Sequence, residues 1–439
     1  MPEGNELLKF AAAKERWGWK DTPPFRVEPP IDDARQLARL FTGRQAELSR
    51  VILPLYNGRN ILVRGMLGIG KSAFILRVLH ELDAQAKAAR EKILPIYIYH
   101  FYGGSTDDFY RLILYALSGV LADKDDEAKG IQDALRGLKV TAGRSKGVSG
   151  KIGLHIFQVA EAEVGVEMGR ETSREFTLEN PHYFVDEFLN RAIKRFGRLV
   201  IAVDDLDKAR PENLRLVQTM LQGALPLLRS AKCAFILTGL TLPLAHMAAF
   251  DLYGSMLGLF DEAIQLNVLS PDELRAIAVK TLNLVRRQER NDPYPFDEEA
   301  IAEAATRSHG IPRLFNVICA RVLEQAALRE TEVIDKEAFA ACYQAVQIGV
   351  SAEVTPQMRS VLAIASRAPG GFSPEMPDEI LDELGFTTFV ELMPLAEYLV
   401  ANDLMIRQEY EGGVRYIVAD LAARAAARGI ALPESTERQ

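Results

Sequence analysis

The sequence predicts an α/β protein built on a parallel sheet, with helical and mixed segments following it. Three observations carry that prediction. Short apolar runs recur at residues 61–63, 199–203 and 234–237, and residues 93–101 are β-branched and aromatic. Segments of helical periodicity separate them, as at 72–92 and 107–121. The first run also ends in a glycine loop. Apolar runs without alternation belong to strands buried on both faces, and helices between them supply the crossovers a parallel sheet needs.

The elements follow in order. Residues 1–40 carry Trp17, Trp19, Pro23, Pro24, Phe25, Pro29 and Pro30 and read as an irregular arm rather than a domain. Residues 41–268 hold the strand–helix alternation. It is interrupted at about 136–171, where a basic, glycine- and serine-rich loop leads into a period-two stretch (Ile152, Leu154, Ile156; Val164, Val166, Met168) expected to form a β-hairpin insertion. Residues 269–348 are helical throughout. Ser270, Pro271 and Glu273 form a capping box with proline at the first helical position, and helices are expected near 271–287, 297–308, 311–328 and 335–347. Residues 349–424 hold three helical patterns and two strands around Glu411, Gly412 and Gly413, the order of a winged helix. A short tail, 425–439, completes the chain.

Composition bounds the rest. A chain of 439 residues exceeds one ordinary core. Its 48% apolar and 26% charged content is that of a globular protein, and no apolar run reaches the roughly 18 residues that span a bilayer. Residues 1–20 lack an apolar signal core, so a cytoplasmic location is expected. Cys233, Cys319 and Cys342 lie far apart in apolar surroundings and are expected to be buried thiols.

The chemistry concentrates in Gly65, Met66, Leu67, Gly68, Ile69, Gly70, Lys71 and Ser72, which fit G-x-x-x-x-G-K-[ST] after a strand and before a helix. Glycines let successive backbone N–H groups turn inward on phosphates, and the following helix, through Ala73, aims its positive end at the same anion. Lys71 is expected on the β- and γ-phosphates of ATP, and the Ser72 hydroxyl on Mg2+. The run at 199–203 ends in Asp204 and Asp205, carboxylates at the strand edge where such sheets bind ligands. Asp204 is expected to hold Mg2+ and Asp205 to act as general base on the attacking water. Thr238 ends the next run and is a candidate for sensing the γ-phosphate or orienting that water, beside the plainer reading of a strand-end threonine. Gly310, Ile311, Pro312 and Arg313 start a helix whose arginine is a candidate for reaching back to the phosphates.

These elements, in this order, resemble the AAA+ ATPase superfamily, and within it the origin-recognition-type initiators and the STAND signalling ATPases. Residues 41–48, Phe41 to Leu48 in sequence FTGRQAEL, look like that group's box preceding the P-loop, which implies Gly43 and Arg44 at the adenine. The resemblance implies a five-stranded parallel sheet, a helical lid and a winged helix. Two departures stand out. Asp205 occupies a position where the superfamily usually has Glu, and residues 233–274 contain no Lys or Arg, which excludes an arginine finger from that segment. Both point to a slow ATPase acting as a switch, since loss of a finger lowers phosphoryl-transfer rates by about 10³–10⁵. A scaffold that binds nucleotide without turnover is the third reading.

Charge divides the possible partners. The net charge is −8, and residues 351–439 hold seven basic and fourteen acidic side chains. The expected recognition helix, 387–400, has Glu391 and Glu397 and no Lys or Arg, so a protein partner suits the winged helix better than phosphate does. DNA is the alternative partner, through Arg136, Lys139, Arg144, Lys146 and Lys151, a run of basic residues free of acids. Nucleotide-dependent self-association is a further expectation.

Overall fold

The computed structural model describes residues 6–20, 24–25, 34–65, 68–99, 105–136, 153–156, 181–204, 206, 214–238, 258–308, 310–345, 356–368, 370–386, 388–401, 404–410 and 413–418. The chain divides into two compact units. One comprises residues 29–65 and 71–266, the other residues 1–28, 66–70 and 267–439.

The first of these units is built on a six-stranded sheet: β1 (Ile61–Arg64), β2 (Ile93–Tyr99), β3 (Gly153–Ile156), β4 (Arg198–Val203), β5 (Cys233–Thr238) and β6 (Glu262–Gln265), in spatial order β3-β2-β4-β5-β1-β6. The five strands other than β3 run parallel, as the sequence implied. β3 adds antiparallel to the outer edge of β2, with Ile96 opposite Ile156. It is the described part of the expected insertion; residues 137–152 and 157–180 lie outside the described residues, and so does the second half of the hairpin. Among the described residues the β2–β3 ladder runs from Ile96 to Tyr99.

The apolar runs are buried as their composition requires. Every residue of β5 is buried, and every residue of β4 but the first. Helices α3 (Gln45–Tyr56) and α4 (Lys71–Ala88) pack on the sheet, α3 against β1, β4, β5 and β6, and α4 against β2. Leu62, Ile96, Ile98, Ile201, Val203, Phe235 and Leu237 join an apolar cluster with α5 (Thr106–Leu121), α7 (Pro181–Phe196) and α8 (Leu214–Gly223). Between α5 and α7 comes α6 (Asp126–Arg136), and after α8 comes the single turn α9 (Leu225–Leu228). Arg191 on α7 binds Asp125 at 2.9 Å and Glu127 at 2.6 Å, and Arg195 binds Asp123, so α7 is tied by charge to the start of α6.

Asn60 sets where β1 begins. It is buried, its Nδ2 donates to Leu228 O (2.6 Å) and Leu259 O (3.2 Å), and its Oδ1 accepts from Phe235 N (2.8 Å). One side chain thereby satisfies three main-chain groups on either side of the β1–β5 pair.

The other unit opens with α1 (Glu6–Arg16), where the sequence suggested an irregular arm. Its residues are strong helix formers, and every proline of the arm except Pro2 lies after it. Trp17 Nε1 donates to Glu332 O (3.1 Å), Arg287 pairs with Glu15 at 2.6 Å, and Phe25 packs edge-on against Phe296 and Phe315. α2 (Ala34–Leu40), also within the expected arm, belongs to the sheet unit. Four helices follow, α10 (Pro271–Val285), α11 (Glu298–Arg307), α12 (Pro312–Leu328) and α13 (Lys336–Ala345). The predicted capping box is present at Ser270 and Glu273. The C-terminal part has α14 (Pro356–Arg367), α15 (Asp378–Leu384), α16 (Phe389–Ala401) and the antiparallel pair β7 (Met405–Tyr410) and β8 (Gly413–Val418), with Phe372 bridged to Tyr416 as a third edge. This is the expected winged-helix arrangement. Cys233, Cys319 and Cys342 are free and buried, and burial pushes the Cys233 thiol up to about 12.

Asn60→Ala orphans a buried N–H and two carbonyls. It is expected to lower stability by about 1–3 kcal/mol, read as a lower urea midpoint with unchanged secondary structure at zero denaturant.

Candidate functional site

Strand order brings the chemistry together. β5 lies between β1 and β4, and register puts Val63 opposite Thr238 and Val203 opposite Leu237. The C-terminal ends of the three strands are therefore level. β1 leads into the glycine loop, β5 ends at Thr238, and β4 is followed by Asp204.

The loop leaves β1 at Gly65 (φ 147°), and its later glycines Gly68 (φ 75°) and Gly70 (φ 94°) adopt left-handed backbone that other residues resist. Ile69 is fully buried and anchors the turn, while Met66 and Leu67 lie outside the described residues. Lys71 opens α4 and is buried, with Nζ donating to Gly65 O at 3.0 Å. The lysine thus folds back over the start of its own loop. Ser72 and Ala73, half-buried, form the first turn of α4 with it, the end of a helix whose dipole favours an anion.

Asp204 is fully buried, and hydroxyls flank its carboxylate from both sides. Tyr97 on β2 donates to Oδ2 at 2.8 Å, and Thr238 on β5 donates to Oδ1. The Asp204 main-chain N–H donates to Ile98 O at 2.9 Å. The sequence singled out Asp204 and Thr238 but not Tyr97, whose only signal was an aromatic residue between Ile96 and Ile98. Asp205 lies outside the described residues. Among the described residues no group of three or more His, Cys, Asp or Glu converges on a metal-sized site. One carboxylate and one hydroxyl, both hard oxygen donors, fit Mg2+, which keeps most of its waters and shares the phosphates of its nucleotide.

Gly310 and Pro312 do the local work the sequence assigned to a helix start. Gly310 has φ 77°, and a Cβ there would stand 2.7 Å from Leu269 O. Pro312 is the first residue of α12, and the half-buried Arg313 follows. Within the unit formed by residues 1–28, 66–70 and 267–439, Arg313 N donates to Gly68 O at 3.2 Å. Gly43 (φ 72°) and Arg44 (φ 61°) form the turn into α3, with Arg44 as its N-cap in left-handed backbone, uncommon for a residue with a side chain. Of the basic run, Lys139, Arg144, Lys146 and Lys151 lie outside the described residues, and Arg136 ends α6.

The winged unit holds its own charges in place. Tyr416, fully buried, donates to Glu397 Oε1 at 2.6 Å, and Arg407 sits 3.4 Å from the same oxygen. Burial beside Glu397 pushes the Tyr416 hydroxyl well above its ordinary value. Arg415 Nε donates to Gln408.

Comparison with known proteins agrees with this arrangement. Residues 40–229 match the family model of the AAA ATPase domain. That stretch of the chain is an AAA+ ATPase domain. Among solved structures, the ORC2 protein of Aeropyrum pernix, in ADPNP–ADP complexes, is similar over 93% of this chain and 97% of its own, at 12% identity and a TM-score of 0.50. The ORC1 protein of Aeropyrum pernix in complex with DNA covers the same shares at 16% identity and a TM-score of 0.47. The Holliday junction branch migration motor RuvB of Thermotoga maritima covers 87% of this chain and 94% of its own at 14% identity and a TM-score of 0.39. At such identities the likeness to ORC2 is one of fold, and the other two carry no argument. A comparison with curated proteins finds no match. Among the described residues no helix is long and apolar enough to cross a membrane.

Gly68→Ala puts a Cβ 3.1 Å from Arg313 Cβ and 3.2 Å from Ile311 Cγ2, in left-handed backbone. The backbone strain alone is about 1–2 kcal/mol. A lowered thermal midpoint in scanning calorimetry is expected, together with weaker nucleotide binding.

Proposed function

We propose that the chain is an ATP- and Mg2+-dependent molecular switch of the AAA+ type with slow hydrolysis. The observation that carries this reading is the level row of strand ends, with Lys71, Thr238 and Asp204 on three neighbouring strands or the helix that follows. In this reading the loop from Gly65 to Gly70 and the first turn of α4 bind the phosphates, and Lys71 leaves the Gly65 carbonyl to meet the β- and γ-oxygens. Ser72 and Asp204 hold Mg2+, which draws charge from the phosphates when bound. Asp205 takes the proton of the attacking water, and Thr238 keeps Asp204 in place beside it. Gly43 and Arg44 border the adenine. Pro312 and Arg313 start the helix that reports the presence of the γ-phosphate, and the winged helix follows the nucleotide state. Asp205 in place of Glu, and the absence of any Lys or Arg over residues 233–274, support slow turnover. Cytoplasmic location and nucleotide-dependent self-association belong to the same reading.

DNA as the partner, in an initiator-type ATPase, is the reading that the comparisons support over a purely protein-directed switch. Its support is the likeness of fold to an ORC protein across 93% of the chain, which takes in the helical and winged segments as well as the ATPase domain. The chain's own charges assign that contact to Arg136, Lys139, Arg144, Lys146 and Lys151 rather than to α16, where Glu391 and Glu397 are the charged residues.

Lys71→Ala is expected to abolish ATP and ADP binding in equilibrium titration while the fold persists; parent-like affinity would refute the nucleotide reading. For the DNA partner, log affinity is expected to fall with log salt at a slope of about −4 to −5 if all five basic residues meet phosphates, from the usual −0.9 per contact. Absence of binding at low salt, with and without ATP, removes DNA and leaves a protein partner.

A further inference from the structure

We propose that Tyr97 is a positioning residue for the metal-holding carboxylate Asp204, a role that rests on the Mg2+ reading above. Asp204 has no exposure to solvent, and Tyr97 only 1%. A carboxylate moved from water to such a place needs donors, because an ionised group left without them is strongly disfavoured. Here the donors come from the two strands that flank β4. Tyr97 on β2 takes Oδ2 at 2.8 Å and Thr238 on β5 takes Oδ1. The main chain of the same residue is fixed to Ile98 on β2 at 2.9 Å.

This geometry has a chemical consequence. An ionised carboxylate accepts at about four lone-pair sites and donates nothing. Two of those sites face hydroxyls on opposite sides, which fixes the plane of the carboxylate about its bond to Cβ. The plane of the carboxylate in turn sets the directions of its other lone pairs, and so the side from which a cation would be held. The tyrosine is well made for holding that plane. Its ring is locked by burial, its hydroxyl is at the end of a rigid body, and it lies on the face of β2 away from Ile96 and Ile98, which join the apolar cluster. Groups that orient a metal ligand without touching the metal typically change metal affinity by about 10- to 100-fold when removed.

The plainer alternative is a core tyrosine whose hydroxyl merely finds an acceptor. That role affects folding and nucleotide binding whether or not metal is present. A positioning role affects the metal alone. The two separate in one experiment on the full chain. Tyr97→Phe removes the hydroxyl and keeps the ring. Nucleotide affinity is measured with fluorescent ADP in EDTA, and metal affinity by Mn2+ electron paramagnetic resonance with a non-hydrolysable ATP analogue. The expected result is an ADP affinity within about twofold of the parent, an unchanged thermal midpoint without ligands, and Mn2+ bound about tenfold more weakly. Parent-like Mn2+ affinity overturns the proposal. Failure of Tyr97→Phe to fold, or an equal loss of ADP affinity in EDTA, assigns the tyrosine a structural role and overturns it too. If instead the parent chain binds nucleotide but no Mn2+ beside it, the Mg2+ reading itself has failed, a result distinguishable from the others because the parent shows it.

Discussion

The chemistry of the ATPase domain depends on one constraint, that β5 runs between β1 and β4 in parallel register. The end of β1, where the glycine loop begins, and the end of β4, where Asp204 follows, lie on either side of a strand that neither belongs to. Parallel pairing levels the three strand ends, so Thr238 comes out beside Asp204 while β1 delivers the loop on the other side. A slip of one residue in β5 would turn Thr238 to the opposite face of the sheet and leave Asp204 one donor short. Asn60 guards against that slip. Its side chain binds main-chain groups at Leu228, Leu259 and Phe235, and it precedes the very strand that carries the loop.

In the other unit, buried charge adds to the apolar packing. Arg286 is nearly inaccessible, bonded to Asn283 at 2.9 Å and to the Tyr294 carbonyl, with Trp19 bridged to its main chain. Burial draws its guanidinium below the ordinary value, and Asp292 works in the opposite direction. Tyr416, Glu397 and Arg407 do the equivalent for the hairpin and α16. Breaking one partner of such a group leaves an uncompensated charge in a dry setting. The same pairing commits Glu397 and Arg407 to holding the wing on its helix. A winged helix of this composition has little with which to attract a phosphate backbone.

How much of this was legible in the sequence differs by element, for physical reasons. β4 and β5 were legible because a strand buried on both faces must be apolar throughout, and the winged unit because its hairpin turns on glycines after three amphipathic helices. The loop and Asp204 were legible because phosphate and metal chemistry admit few residue types. Tyr97 was not, since its partner lies 107 residues away and is chosen by strand register, which no local pattern encodes. Asn60 was hidden for the same reason, with partners 168 to 199 residues off. α1 was missed because the aromatic and proline residues that follow it dominate the composition of the arm, although 6–16 alone favours a helix. β3 was read as part of a separate hairpin because alternation reveals a half-buried strand but not which edge it joins.

The glycine and proline that mark the start of α12 show how one local device serves two ends. Gly310 is required by its backbone, since a Cβ would strike Leu269 O, and its own carbonyl accepts from Leu269 N at 2.9 Å. Pro312 has no N–H to leave unsatisfied at the first helical position. The next free donor is therefore Arg313 N, and it is given to Gly68 O. A Cβ on Gly68 would stand close to Arg313 and Ile311, at 3.1 and 3.2 Å, so the glycine eases that approach. The helix start and the turn of the phosphate loop are thus matched through two glycines and one proline, independent of what the Arg313 side chain does.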